Sequence, residues 1–186
     1  MPRYKITIEY DGTPFSGWQW QDNVPSVQRT LTEAIASFTG ETSMVQGAGR
    51  TDAGVHALGQ VAHFDLTKDY ETDTVRDALN AHLRPHSVAV LSAEKVAPEF
   101  DARRSAIRRH YLYRIANRRP DLTLDRLRAW RVPRRLDVEA MHEASQALRG
   151  LNDFVSFCKS REGATTIRNL KKTSVRRVGG VRGLIE

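Results

Sequence analysis

The sequence predicts an α+β protein whose first half is a β-α-β-β-α-β unit. Three observations predict it. Apolar and polar residues alternate over 4–10, and an apolar helical repeat follows Ser26. Patterns for all six strands and helices of the unit are found before residue 98. This order is typical of the split β-α-β arrangement, in which two helices cover one face of an antiparallel sheet. We therefore expect the other face to be available for a ligand, which is often a nucleic acid.

Local patterns place each element of the first half. Ser26 is a suitable N-cap and Gly40 a suitable end for the first helix. The apolar residues Val27, Leu31 and Ile35 lie on one face of that helix. The predicted elements are strands at 4–10, near 43–48, at 59–66 and at 87–97, with helices between Ser26 and Gly40 and at 74–83.

The second half begins with a basic loop and has weaker patterns. Its predicted elements are a strand at 110–116, a helix capped by Asp137 and ended by Gly150, a short apolar turn or strand at 154–157, and a basic strand at 167–178. In the helix, Met141, Ala144 and Leu148 are expected to face inward. This half therefore looks like a second β-α-β unit without its ending.

Composition excludes several classes of protein. The 186 residues are 40% hydrophobic and 27% charged, which rules out wholesale disorder. No run of about 18 apolar residues exists, so no membrane partner is expected, and the N-terminus shows no secretory signal. The single cysteine, Cys158, cannot form an internal disulfide and lacks the spacing of a zinc site. We expect a cytoplasmic protein.

Charge is distributed unevenly along the chain. Residues 1–100 carry 8 basic and 13 acidic side chains, a net charge of −5, whereas residues 101–186 carry 21 and 9, a net charge of +12. Because the arginine fork suits phosphate, this excess indicates a partner made of phosphates. A solvated basic surface is the alternative. The candidate phosphate contacts are Arg103, Arg104, Arg108 and Arg109.

The loop at 11–23 contains an unusual number of aromatic residues, namely Phe15, Trp18 and Trp20. Polar loops seldom carry so many rings. We expect the rings to anchor the loop on the core, and direct contact with a ligand is the alternative.

The segment at 47–60, GAGRTDAGVHALGQ, carries the residues best suited to chemistry. Four glycines, an arginine, an aspartate and a histidine lie here between two predicted strands. In an extended chain Arg50 and Asp52 would share a face and form an ion pair, which would keep Asp52 ionised. An ionised carboxylate on a rigid loop can act as nucleophile or base. A purely structural salt bridge is the alternative.

Other chemistries fit this segment poorly. A phosphate-binding loop would end in Gly-Lys-Ser/Thr and lead into a helix, and neither feature is present. His56 and His63 lie on a loop and a strand without a close set of further ligands, so no metal is expected. No serine stands at a strand-to-helix elbow, so Ser-His-Asp hydrolysis is unsupported.

Short blocks of sequence follow one another in a characteristic order. They are YDGT at 10–13, FxGWQ at 15–19, SVQ at 26–28, GAGRTDAGVHA at 47–57, GQVAHF at 59–64, LNA at 79–81, DAR at 101–103, RHYxY at 109–113 and GxNDFxSF at 150–157. Because it contains these blocks in this order, the chain resembles the TruA family of tRNA pseudouridine synthases. The block around Asp52 is the longest and the most specific of them.

The resemblance implies a fold and three residue roles. The fold is the pseudouridine synthase fold, two ferredoxin- or RRM-like β-α-β-β-α-β lobes around a central antiparallel sheet, here with the second lobe incomplete. Asp52 matches the family's catalytic aspartate. Arg50 matches the arginine that helps to hold the target base out of the helix stack, and Tyr111 matches the tyrosine that stacks on the target uracil. The implied domains are an N-terminal lobe with the catalytic loop, 1–100, and a basic C-terminal lobe, 101–186.

The resemblance also implies a substrate and an assembly. The substrate is the anticodon arm of tRNA, in which uridines 38 to 40 become pseudouridine, and the enzyme is a homodimer with a basic cleft. Nothing is oxidised and no group enters or leaves, so no cofactor is expected. The residues leave open whether the aspartate attacks C1′ of the ribose, removes a proton or adds to C6 of the base.

Family members are expected to continue past residue 186 with a strand and a helix that carries a Met-Val-Arg-like segment, whose arginine pairs with the catalytic aspartate. On this expectation the sequence is a fragment, a truncated reading frame or a divergent short form. A second hypothesis is therefore an RNA-binding protein with weak or no catalysis. A third is a ferredoxin-like module that binds proteins or small ligands.

Overall fold

The chain forms two compact units, Met1–Arg109 and His110–Glu186, in a computed structural model that describes residues 1–158, 165–178 and 183–186. The division into a lobe with the catalytic loop, 1–100, and a basic lobe, 101–186, stays a prediction, because compactness does not test the roles of the two parts. Within the described residues, no helix has the length and apolar character needed to cross a membrane.

The first unit has the predicted order of elements. They are strand β1 (Arg3–Tyr10), helix α1 (Val27–Thr39), strands β2 (Gln46–Gly47) and β3 (Ala57–Asp65), helix α2 (Thr72–Leu83) and strand β4 (Val88–Val96). The strands form one sheet in the order β2-β3-β1-β4, and every pairing is antiparallel. The β-α-β-β-α-β prediction is therefore confirmed.

One face of this sheet forms the hydrophobic core together with the two helices. Alternate residues of β1 are buried, as the period of a strand requires. Helix α1 is capped at its start by Ser26, whose side chain accepts a hydrogen bond from the backbone amide of Arg29. At its other end the helix is capped by Gly40, which has a φ of +76°. The cluster includes Tyr4, Ile6, Ile8, Val27, Leu31, Ile35, Phe64, Val75, Leu79 and Leu83. Each large side chain buried in this way stabilises the unit by roughly 1.5–3 kcal/mol.

The opposite face of the sheet is partly covered by the segment that follows β4. Arg3 donates two hydrogen bonds of 2.7 Å to the Asp65 carboxylate and another of 2.7 Å to the carbonyl oxygen of Phe100. His63 is 5% exposed, and its Nδ1 accepts from the amide of Ala102 at 3.1 Å. Burial lowers the pKa of His63, and the charge on Arg3 lowers it further. Only part of this face is therefore available to a ligand, contrary to the simple expectation.

The second unit is built from short elements. They are strands β5 (Ile115–Ala116) and β6 (Trp130–Arg131), helix α3 (Val138–Gln146), strand β7 (Gly150–Asp153), a 3-10 helix (Val155–Phe157), and strands β8 (Ile167–Leu170), β9 (Arg177–Val178) and β10 (Leu184–Ile185). One sheet has the order β6-β5-β10-β9, and β7 pairs with β8 in another. The predicted cap of α3 is present, since Asp137 accepts from the amide of Ala140 at 3.0 Å.

Four predictions for the second unit are wrong. Helix α3 ends at Gln146 and not at Gly150, and the strand predicted at 167–178 is two short strands, β8 and β9. The strand predicted at 110–116 is reduced to β5, because β6 and β10 each pair with only its last two residues. The inward face predicted for the third helix is not formed: Met141 is half-buried, and Ala144 and Leu148 are exposed. In the part of the chain that the structure describes, the buried apolar residues of this unit are Ile115, Ala116 and Ile185. Its core is thus much smaller than that of the first unit.

Candidate active site

The glycine-rich segment between β2 and β3 is held on one side by the aromatic loop at 11–23. The amide of Trp18 donates to the carbonyl oxygen of Thr51 at 3.0 Å, and the amide of Gly54 donates to that of Phe15 at 3.2 Å. The hydroxyl of Tyr10 lies 2.9 Å from Oγ1 of Thr51. These three contacts fix the backbone at the centre of the segment.

The aromatic rings of this loop act as anchors. Phe15 and Trp18 are buried in the core, which confirms the prediction that they fasten the loop. Trp20 is half-buried, and the guanidinium of Arg29 lies 5.7 Å from the centre of its ring. Burial raises the pKa of the Tyr10 hydroxyl, so this group keeps its proton at neutral pH. A neutral hydroxyl suits its contact with the segment.

Gly17 allows the two loops to approach each other closely. Its φ is +99°, and a Cβ at this position would lie 2.6 Å from the carbonyl oxygen of Thr51. Any other residue would therefore meet both an unfavourable backbone conformation and the backbone of the site.

We expect Gly17→Ala to lower the free energy of unfolding by about 2–4 kcal/mol, because it adds the strain of positive φ to a steric clash. Gly40→Ala is the matched control: φ there is +76°, but a Cβ would meet nothing within 4 Å. The control should lose only about 1–2 kcal/mol. Urea denaturation measures both values, and equal losses would contradict the close approach.

Two side chains hold the same segment from the other side. Nε2 of Gln60 donates to the carbonyl oxygen of Gly49 at 2.6 Å. Arg109 donates two hydrogen bonds to the carbonyl oxygen of Ala48, from Nε at 3.2 Å and from Nη2 at 2.8 Å. Its Nη2 also donates to the backbone carbonyl oxygen of Arg103 at 3.1 Å. Arg109 thus supports the loop, although the sequence suggested a phosphate contact. Both supports lie in the sequence blocks quoted above, but their spacing gave no sign of this role.

His56 joins the loop to the end of β1. Its Nδ1 lies 3.1 Å from Oδ1 of Asp11 and 3.1 Å from the amide nitrogen of Gly12. A Cβ on Gly12 would lie 2.1 Å from the carbonyl oxygen of Val55, so the chain is closely packed here as well. Across the described ranges, no three His, Cys, Asp or Glu side chains are grouped as a metal site would require.

The predicted ion pair between Arg50 and Asp52 is not formed. Both side chains are exposed, and among the described residues neither makes a hydrogen bond or an ion pair. The prediction was wrong because it assumed an extended chain, whereas Asp52 begins a turn. The amide of Val55 donates to the carbonyl oxygen of Asp52 at 3.2 Å, and Gly54 has φ at +77°.

This geometry suits a reacting carboxylate. The backbone on either side of Asp52 is held by long-range hydrogen bonds. Its side chain is accessible and makes no hydrogen bond or ion pair with another described residue. A nucleophile or general base needs both properties, a fixed position and free access to the substrate. Arg50 presents an exposed guanidinium two residues away.

Tyr111 lies in the second unit, in irregular chain just before β5, and is 87% exposed. An exposed ring is able to stack on a base. The stacking role of Tyr111 stays a prediction, as do the roles of Asp52 and Arg50.

The fold and the site define an α+β protein with an accessible carboxylate on a fixed loop between two strands. A family model described as tRNA pseudouridine synthase matches residues 6–103, which include this loop. Three similar curated relatives are named tRNA pseudouridine synthase A. They come from Afipia carboxidovorans at 61% identity, Azorhizobium caulinodans at 59% and Xanthobacter autotrophicus at 59%.

These alignments cover 93%, 96% and 96% of this chain and 72%, 70% and 74% of the respective relatives. The chain therefore belongs to the tRNA pseudouridine synthase family. This confirms the resemblance inferred from the sequence blocks.

Proposed function

We propose that this protein isomerises uridine to pseudouridine in tRNA, with Asp52 as the catalytic residue. The observation that carries the proposal is the accessible carboxylate on a loop with a fixed backbone, inside the part of the chain that matches the family model. The name shared by the relatives supports tRNA as the substrate.

The reaction is balanced without any further reactant. The N1–C1′ bond of the uridine breaks, the base turns, and a C5–C1′ bond forms. The proton on C5 leaves and N1 gains one, so the formula of the nucleoside is unchanged. The protein must supply a carboxylate that acts as nucleophile or base, and it must take the base out of the stack.

Arg50 and Tyr111 have the chemistry for the second task. The planar guanidinium of Arg50 can enter a base stack and so help to hold the target base out. The ring of Tyr111 can stack on the uracil, an interaction worth about 1–3 kcal/mol per base. We assign Arg50 and Tyr111 to substrate binding, and the Tyr111 hydroxyl to accepting the C5 proton.

The finer features of the proposal come from the family resemblance. They are the anticodon arm of tRNA as the site of modification, with uridines 38 to 40 as targets, a homodimer as the active form, and the cytoplasm as the location. The net charge of +12 on residues 101–186 supports binding to a polyanion such as RNA.

Pseudouridine mapping tests the proposal. The chain is incubated with unmodified tRNA transcripts, and pseudouridine is located at single-nucleotide resolution. We expect conversion at positions 38 to 40 that have uridine, and transcripts with cytidine there serve as controls. If tRNA is bound but no pseudouridine forms, the RNA-binding hypothesis replaces this one.

We expect Tyr111→Phe to lower kcat by about a hundredfold or more, because a general acid or base contributes typically 10²–10⁴-fold. Tyr111→Ala should lower it further, since the ring is lost as well. Tyr113→Phe is the control: this neighbouring tyrosine is also exposed, and its variant should keep the wild-type rate. An unchanged rate in Tyr111→Phe would exclude the hydroxyl from proton transfer, and an unchanged rate in Tyr111→Ala would exclude Tyr111 from the site.

A further inference from the structure

A cavity of about 790 Å³ in the second unit is lined by five arginines. The lining residues that matter here are Asn117, Arg118, Arg119, Arg134, Arg135 and Arg177. Within the described part of the chain, no acidic residue lines it. Five arginines that line one space create a positive potential there, which favours an anion.

Asn117 gives this cavity a defined frame. Its Nδ2 donates to the carbonyl oxygens of Val132, at 2.9 Å, and of Arg134. Its Oδ1 accepts from the amide of Leu136 at 3.2 Å and from Nη2 of Arg177 at 3.2 Å. One side chain thus ties three parts of the chain together around the cavity. The arginines are therefore attached to a fixed backbone, as a binding site requires.

Arg118 supplies a second observation that points to a ligand. Its Nη2 donates to the carbonyl oxygen of Asp121 at 2.8 Å, but its Nε is buried and has no hydrogen-bond partner among the described residues. Leaving such a donor unsatisfied is unfavourable, and more so for a charged group. The carboxylate of Asp121 is not its partner either, and that group pairs with Arg131 at 2.8 Å. Because Arg118 lines the cavity, an acceptor bound there would satisfy this donor once the side chain turns toward it.

We propose that this cavity is a phosphate-binding site that takes a backbone phosphate of the bound RNA, separate from the residues that contact the target uridine. Arginine forks match phosphate oxygens through paired hydrogen bonds, and Nε is one of the donors of such a fork. The identity of the RNA rests on the proposed function. The affinity for phosphate rests only on the cavity, and a free phosphate ion has the same chemistry.

The first experiment tests the anion site with inorganic phosphate. The Nε–H signals of arginine side chains are followed by NMR while the full chain is titrated with phosphate, with chloride at the same ionic strength as control. We expect a saturable shift of the Arg118 signal with phosphate alone. Arg118→Lys keeps the charge but removes the guanidinium, and it should bind phosphate at least about fivefold more weakly. No saturable shift, or unchanged affinity in Arg118→Lys, overturns the site.

The second experiment tests RNA as the source of the phosphate. The affinity for a tRNA transcript is measured against salt for Arg119→Gln/Arg134→Gln. The control, Arg126→Gln/Arg149→Gln, removes the same charge from exposed residues of the same unit outside the cavity. We expect the cavity variant to bind about tenfold more weakly near 0.1 M salt and to lose about one unit of the slope of log affinity against log salt. The control should keep a slope closer to that of the wild type.

Equal tRNA affinity in the two variants overturns the assignment to RNA, and a retained phosphate shift then assigns the cavity to a small free phosphate. Pseudouridine mapping stays a separate readout. A wild-type chain that binds phosphate in the cavity but forms no pseudouridine contradicts the proposed function and leaves the anion site standing.

Discussion

Asp52→Asn is expected to lower the rate of pseudouridine formation by at least about a thousandfold while tRNA affinity stays within about threefold of the wild type. The amide keeps the size and polarity of the side chain but loses its charge and its nucleophilic oxygen. Because the Asp52 side chain makes no hydrogen bond or ion pair with any described residue, a broken structural contact would not explain the loss. Single-turnover kinetics and a tRNA binding assay measure the two effects.

Asp22→Asn is the matched control for this variant. Asp22 is an exposed aspartate of the same unit that lies outside the segment between β2 and β3, and its variant should keep the wild-type rate. Thermal denaturation should give the same Tm for both variants within experimental error. If Asp52→Asn retains even a tenth of the turnover, Asp52 has no place in the mechanism.

The first unit could be predicted from the sequence because its signals are local. The alternation in β1 and the caps at Ser26 and Gly40 each act within a few residues of chain, and the structure contains all three. The strand predicted near 43–48 is shorter, only Gln46–Gly47, because its pairing with β3 extends over just two residues. Local pattern indicates that a strand is present, and its partner decides how far the strand extends.

The second unit shows the limit of the same reasoning. Strands of two residues, such as β5 and β6, are too short to show the alternation of apolar and polar residues that indicates a strand. Helix α3 has an apolar stripe with Met141, but a stripe indicates only which face would be buried. Whether a surface covers that face depends on distant parts of the chain. In the described residues none of the α3 side chains is fully buried.

At the site, the sequence identified the residue types but not their partners. Asp52 and Arg50 stand out because a carboxylate and a guanidinium lie in a glycine-rich segment between strands. The support from Arg109 joins residues 61 positions apart, and no local pattern predicts such a contact. The missing ion pair has the same origin, since the turn at Asp52 is stabilised together with contacts from the aromatic loop.

Backbone amides of the first unit are expected to exchange with deuterium much more slowly than those of the second. The sharpest comparison is between two antiparallel ladders, β1 with β3 and β7 with β8, since both have hydrogen-bonded amides. The first ladder carries Tyr4, Ile6 and Phe64 into a large buried cluster, whereas the residues of β7 and β8 are exposed or half-buried. Opening the first ladder therefore exposes far more apolar surface to water.

Native-state hydrogen exchange with mass spectrometry measures the difference. Three buried side chains at roughly 1.5–3 kcal/mol each correspond to several powers of ten in the opening equilibrium. We therefore expect protection in 4–97 to exceed that in 137–186 by at least about a hundredfold. Gly17→Ala should reduce protection across the first unit and leave β7 and β8 unchanged, because the buried cluster beside Gly17 is formed by residues of the first unit. Equal protection in the two ladders would show that burial does not determine how this chain opens.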